Sequence, residues 1–209
     1  MSPGTEWREL IIPVFAMTIV VAASNFFVQF PVEYFGLAEL FTWGAFTYPV
    51  SFFVTELTNR RFGPAAARRV VYVGFTLAVI LSIWLATPRI ALASGCAFLL
   101  AQLLDVTIFD RLRNQAWWQA PLASSAMGSV LDTALFFSLA FAGTGIGTAF
   151  YGIGALSIEL PIWLGWAIGD LGVKLAVSLV LLLPFRLLRG LIPARETVER
   201  SRSARTGKA

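Results

Sequence analysis

Six apolar runs, each about as long as a bilayer is thick, constrain this chain more than anything else in it. A transmembrane helix needs about 20 mostly apolar residues. Stretches at 10–30, 37–58, 70–87, 90–112, 122–143 and 163–188 meet that requirement. The balance of residues agrees: 57% are hydrophobic and 13% charged, where a soluble domain carries about 25% charged residues. The chain reads as an all-α, polytopic bundle of six transmembrane helices, with residues 1–190 forming one membrane domain. The first run does not read as a cleavable signal peptide. Glu6 and Glu9 precede it, its apolar length is that of a full span, and no small-residue cleavage site closes it.

The basic residues orient the bundle. If the spans alternate, Arg8, Arg60, Arg61, Arg68, Arg69, Arg111 and Arg113 fall on one side of the membrane. Arg186, Arg189, Arg195, Arg200, Arg202, Arg205 and Lys208 fall there too. The other side holds Arg89 alone, and Lys174 lies inside a span. A split of fourteen to one predicts that both termini are cytoplasmic. It also explains the net charge of +4 without nucleic acid, because the cations sit at span ends and not on a nucleic-acid-binding face. The tail at 191–209 reads as a basic, disordered cytoplasmic extension. Trp117 and Trp118, beside Arg111 and Arg113, read as an interfacial anchor. The Gly-rich loop GTGIGTAFYGIGALSIELPI reads as lying at the outer interface.

Residue types that are absent or isolated narrow the chemistry. With no histidine, histidine metal sites, serine–histidine catalysis and histidine proton relays are excluded. Cys96 is the sole cysteine, so no internal disulfide forms. The residues before Asp170 are Ala-Ile-Gly, not the Gly-x-Gly-Asp element of intramembrane aspartyl proteases. The reading is therefore not an enzyme, and it implies no metal and no cofactor. No repeated polar ring suggests an ion channel either.

What remains is a set of polar residues inside the spans. Asp132 stands in the middle of PLASSAMGSVLDTALFFSLAFAG, where a carboxylate costs roughly 2.5–3.5 kcal/mol on insertion scales. Lys174 falls at matching depth in the sixth span, and intramembrane ionisable residues mark sites and pathways. Asp170 precedes Lys174 by four residues and shares its helix face. Gln102 and Asp105 share a face of the fourth span, as Asn25 and Gln29 do in the first. Glu56 lies near the inner end of the second span and Trp43 near its outer end. Ser125, Ser129 and Asp132 form one stripe on the fifth span. Gly128, Gly165, Gly169 and Gly172 read as small residues that let helices approach. Carboxylates and amides beside aromatic rings suit a small planar heterocycle, bonded at its edge and stacked on its face.

Several stretches resemble the queuosine precursor transporter family of bacterial inner membranes. They are ASNFFVQFPV (23–32), TWGAFTYPVSFFVTELTNRRFGPAAARRVV (42–71), AQLLDVTIFDRLRNQAWWQAPLASSAMGSVLDTALFF (101–137) and GDLGVKLAVSLVLLLPF (169–185). That family is similar to six-helix vitamin-uptake components that bind a small ligand near the outer face. The resemblance implies import of a 7-deazaguanine, the cyano or aminomethyl precursor of a tRNA base. Its edge offers N–H donors to a carboxylate and a carbonyl to Lys174, Asn25 or a glutamine. Glu56 stands where relatives often carry Asp, which changes length and keeps charge. The substrate-binding set is then Asn25, Gln29, Trp43, Glu56, Gln102, Asp105, Asp132, Asp170 and Lys174, with Asp132, Lys174, Asp105 and Gln102 as the interior polar core. The partners expected are the deazapurine and the lipid bilayer, with no direct contact to nucleic acid. A homo-oligomer is left open. The rival reading is a substrate-binding subunit that transports only when docked on an ATPase complex.

Overall fold

A computed structural model describes residues 7–33, 42–151 and 158–194. The tail beyond 194, with its five cations, lies outside the described residues, as does Glu6. The elements run α1 (Ile11–Phe27), entered through a 3-10 turn at Trp7–Leu10, then α2 (Trp43–Thr47) and α3 (Val50–Phe62). They continue with α4 (Pro64–Leu85), α5 (Pro88–Leu112), α6 (Gln119–Phe141), the strands β1 (Thr148–Tyr151) and β2 (Ile158–Pro161), and α7 (Ile162–Leu191).

Five of these, α1 with its entry turn and α4 to α7, are long and apolar enough to cross a membrane. They match five of the six apolar runs. The run at 37–58 is built differently. Residues 34–41 are outside the described residues, and the rest is broken into α2 and α3 at Tyr48–Pro49. Proline has no N–H to give to the preceding turn, and the backbone tightens there: Ser51 N donates to Tyr48 O at 2.9 Å instead of to the carbonyl of Thr47. Together α2 and α3 reach about 30 Å at 1.5 Å per residue.

The position of α3 explains its composition. It packs against all five long helices, so Ser51, Thr55, Glu56, Thr58 and Asn59 are buried in protein and shielded from lipid. The long helices carry the lipid-facing surface instead, with Ile12, Ile83, Trp84, Leu92, Ile168, Val180 and Leu187 all exposed. Backbone groups at bilayer depth must be satisfied within the segment, as a helix does.

Close approach is set by particular small residues. A Cβ on Gly74 would lie 2.7 Å from Met17 Cγ, where α1 crosses α4. One on Gly128 would lie 2.8 Å from Phe52 Cε1, where α6 meets α3. Gly172 has nothing within 4 Å, so the packing role expected of it is corrected: it faces outward. Gly63 joins α3 to α4 at φ 88°, a left-handed conformation that glycine adopts without strain. The apolar core runs through Met17, Val21, Val70, Val71, Phe98 and Val106, with a smaller cluster of Phe109, Ala120 and Phe185 at one end.

That end is the basic end. Arg60, Arg61, Arg68, Arg69, Arg111, Arg113, Arg186 and Arg189 gather at the α3–α4 and α5–α6 junctions and the end of α7. Trp117 lies there under two guanidinium groups, Arg186 at 5.5 Å and Arg189 at 5.4 Å from its ring centre, while Trp118 is 42% exposed. The exception at the opposite end has a structural task. Arg89 donates to Leu139 O at 2.9 Å and Ala142 O at 2.5 Å, so a cation closes the C-terminus of α6 where the helix dipole is negative. The connection between α6 and α7 contains an antiparallel hairpin, with Thr148 opposite Pro161 and Tyr151 opposite Ile158. Thr148 Oγ1 donates to the Glu159 carboxylate.

Candidate functional site

A cavity of about 540 Å³ lies at the end of the bundle away from the basic cluster, within the usual range for small-molecule sites. The α1 end supplies Ser24, Asn25 and Val28, and the broken α2–α3 element supplies Gly44, Tyr48 and Ser51. The α4–α5 turn closes another side at Ala86, Thr87 and Ile90. Aromatic rings from α6 and α7 face in, with Phe141 and Trp166 packed edge to face at 5.5 Å between centres.

A charged centre sits in this cavity wall. Lys174 Nζ lies 2.6 Å from Asp132 Oδ2 and 2.5 Å from Asp170 Oδ2, and it also donates to Thr133 Oγ1 at 3.3 Å. Asp132 accepts the Tyr48 hydroxyl at 2.7 Å on its other oxygen. Thr133 donates to Asp170 Oδ2 at 2.8 Å. Asp132 and Asp170 both pair with Lys174. An ammonium has three N–H donors, and all three are engaged. Lys174 is 4% exposed and Asp132 likewise, so burial makes their mutual neutralisation necessary.

Two residues of the cavity wall keep unfilled hydrogen-bonding capacity. Oδ1 of Asp170 has no described hydrogen-bond partner, and its side chain, 16% exposed, is the most open of the three. Asn25 Nδ2 donates one hydrogen to Val21 O at 3.0 Å and keeps a second, while its oxygen accepts from Ser82 at 3.3 Å. The site thus offers a charged acceptor, an amide donor and aromatic faces.

The expected set of residues is divided by the fold. Asn25, Asp132, Asp170 and Lys174 line the cavity. Gln29 and Trp43 do not: Gln29 is exposed and bonds back to Asn25 O at 3.4 Å, and Trp43 is 42% exposed and packs on Phe46. Gln102, Asp105 and Glu56 are buried beneath the cavity, between α3, α5 and α6, and do not line it. The single polar core expected from Asp132, Lys174, Asp105 and Gln102 is therefore corrected to two clusters at different depths. Tyr48 and Trp166 were not singled out from sequence. For Tyr48 the signal was its place before Pro49, since a proline gives no N–H to the preceding turn.

Comparison with known proteins agrees with this architecture. The family model described as "Putative vitamin uptake transporter" matches residues 42–87 and 81–188. The chain is 40% identical to the queuosine precursor transporter of Escherichia coli, over 59% of this chain and 64% of that protein. It is 38% identical to a probable queuosine precursor transporter of Haemophilus influenzae, over 64% and 70% of the two chains. A Bacillus subtilis protein described in the same words is 29% identical, over 75% and 74%. The chain thus spans just under two thirds of the length of its Escherichia coli relative. No solved structure matches the chain. The family match covers more than half of the sequence and runs through α2 to α7, the elements that build most of the cavity: this chain belongs to the vitamin uptake transporter family of multi-pass membrane proteins.

Proposed function

We propose that this chain imports a queuosine precursor, a 7-deazaguanine, across the bacterial inner membrane, and that the cavity is its binding site. The names of the relatives support the substrate class. One observation carries the reading: a ligand-sized cavity with Asp170 Oδ1 open for hydrogen bonding beside a Lys174 that offsets one of the two carboxylate charges. In this reading a carboxylate accepts the N–H groups on the edge of the base. Lys174 serves as counter-ion and not as a donor to the ligand, because its three hydrogens are engaged. Asn25 provides the donor for the carbonyl, and Trp166 and Phe141 provide faces for the ring.

Orientation follows from the charge split. With the basic end in the cytoplasm, the cavity opens toward the periplasm, which is where an importer meets its cargo. The test is uptake of labelled 7-aminomethyl-7-deazaguanine by cells that lack their own transporter and biosynthesis and express only this protein. Accumulation above the empty-vector level is expected. A signal equal to the vector refutes self-sufficient import.

A further inference from the structure

Beneath the cavity, three helices bring together two carboxylates that no cation neutralises. Glu56 of α3 is 2% exposed and Asp105 of α5 fully buried. Ser125 Oγ of α6 donates to Glu56 Oε1 at 2.5 Å and Ser124 Oγ to the same oxygen at 3.2 Å. Both oxygens of Asp105 and the hydroxyl of Ser129 are buried without a hydrogen-bond partner. Ser129 lies one turn beyond Ser125 on the same stripe of α6, so an orphaned donor accompanies the orphaned acceptors.

None of the neighbouring cations among the described residues pairs with either carboxylate. Arg113 pairs with Asp110 at 3.3 Å and bonds Asn59, and Lys174 is held by Asp132 and Asp170. Arg60, one turn beyond Glu56, donates to Arg189 O at 3.5 Å, and Arg61 lies over the Phe62 ring. The α4 face packed nearby is Ala66, Ala67, Val70 and Val71, and α1 contributes Met17 and Val21, so neither brings charge. Tyr48 is tied to Asp132. Among the described residues, neither Glu56 nor Asp105 is in an ion pair.

A polar line runs from the cavity wall down toward this pair. Ser51 lines the cavity and accepts from Gln102 Nε2 at 2.7 Å. Gln102 Oε1 accepts from Thr55 at 2.7 Å. Glu56 follows Thr55 in sequence, and Asp105 follows Gln102 by three residues on one face of α5. Two negative charges cannot both be held in such an interior at low cost, and a divalent cation would require six or more oxygen ligands. A proton needs only one.

We propose that Glu56 and Asp105 form a proton-binding site that couples cargo movement to proton movement. This rests on the transport reading above. A proton arriving from water by way of the cavity forms an O–H bond on one carboxylate. When the bundle opens the other way that bond breaks and the proton returns to water; nothing is oxidised or reduced.

Two measurements test it. Infrared difference spectra of the purified protein in lipid vesicles at neutral pH are expected to show a protonated carboxyl band that shifts in heavy water. Glu56→Gln or Asp105→Asn should each remove it, and Asp110→Asn should not. No band in the wild type, or one that persists in both variants, overturns the site. In proteoliposomes, acid outside should speed deazaguanine uptake several-fold, and Glu56→Gln should lose that response while remaining monodisperse. Uptake indifferent to the pH gradient, or responding to a sodium gradient in its place, overturns the coupling. If the wild type moves no deazaguanine at all, the transport reading fails, and the infrared band still decides the proton site.

Discussion

Replacing Lys174 should damage this protein more than replacing either of its two carboxylate partners. Lys174→Met leaves Asp132 and Asp170 facing each other with no cation, and both are largely buried. Removing one partner of a buried ion pair typically costs about 3–5 kcal/mol, because the remaining charge is uncompensated. Asp132→Asn is milder. Lys174 keeps Asp170 at 2.5 Å, and an asparagine oxygen replaces one of the two acceptors that serve Tyr48 and the ammonium. The loss is then close to that of one charge-assisted hydrogen bond, about 1.5–3 kcal/mol. Thermal unfolding in detergent should show a drop in Tm for Lys174→Met roughly twice that for Asp132→Asn or Asp170→Asn. Combining Lys174→Met with both Asp→Asn changes should recover much of the loss, since neutral groups replace the whole set. Equal drops for the lysine and aspartate variants, or no recovery in the triple variant, refute this balance of charges.

Other expectations concern the cavity, the packing and the topology. Stacking of a base on an aromatic ring is worth about 1–3 kcal/mol, so Trp166→Ala should lower uptake roughly tenfold or more. Trp43→Ala should leave uptake within about threefold, because Trp43 does not line the cavity. Gly128→Ala forces a methyl against Phe52, and overpacking of this kind costs about 1–3 kcal/mol. Gly172→Ala, with open space around it, should be neutral or stabilise by up to about 1 kcal/mol; paired melting curves check both. A C-terminal reporter active only in the periplasm should be silent, and a strong signal would reverse the orientation.

Hydropathy and charge made the bundle legible because lipid imposes them. Five runs became helices with ends shifted by a few residues, and the basic cluster at one end is the same cluster that the loops predict. Asp132 and Lys174 could be paired from depth alone, since each lies near the middle of its span. Depth does not fix rotation or the level of neighbouring helices, and that is where sequence reasoning ran short. Gln102 and Asp105 share a face of α5, yet that face turns toward Thr55, Ser51 and the Glu56 region and away from Lys174. The residues that complete the charged centre were hidden for a similar reason. Tyr48 reaches Asp132 from the α2–α3 element, and that element lies at the centre of the bundle. A pattern of apolar residues cannot say which span is central; the more polar composition of α3 was the available clue.

The central claim is that a deazaguanine is held in the cavity by the free oxygen of Asp170. Equilibrium binding of labelled 7-aminomethyl-7-deazaguanine to the purified protein tests it most directly, with the wild type beside Asp170→Asn. The account predicts saturable binding at one site per chain, weakened roughly tenfold or more in the variant, the worth of one hydrogen bond to a charged group at about 1.5–3 kcal/mol. Absence of saturable binding to the wild type, or an affinity unchanged by Asp170→Asn, would contradict it.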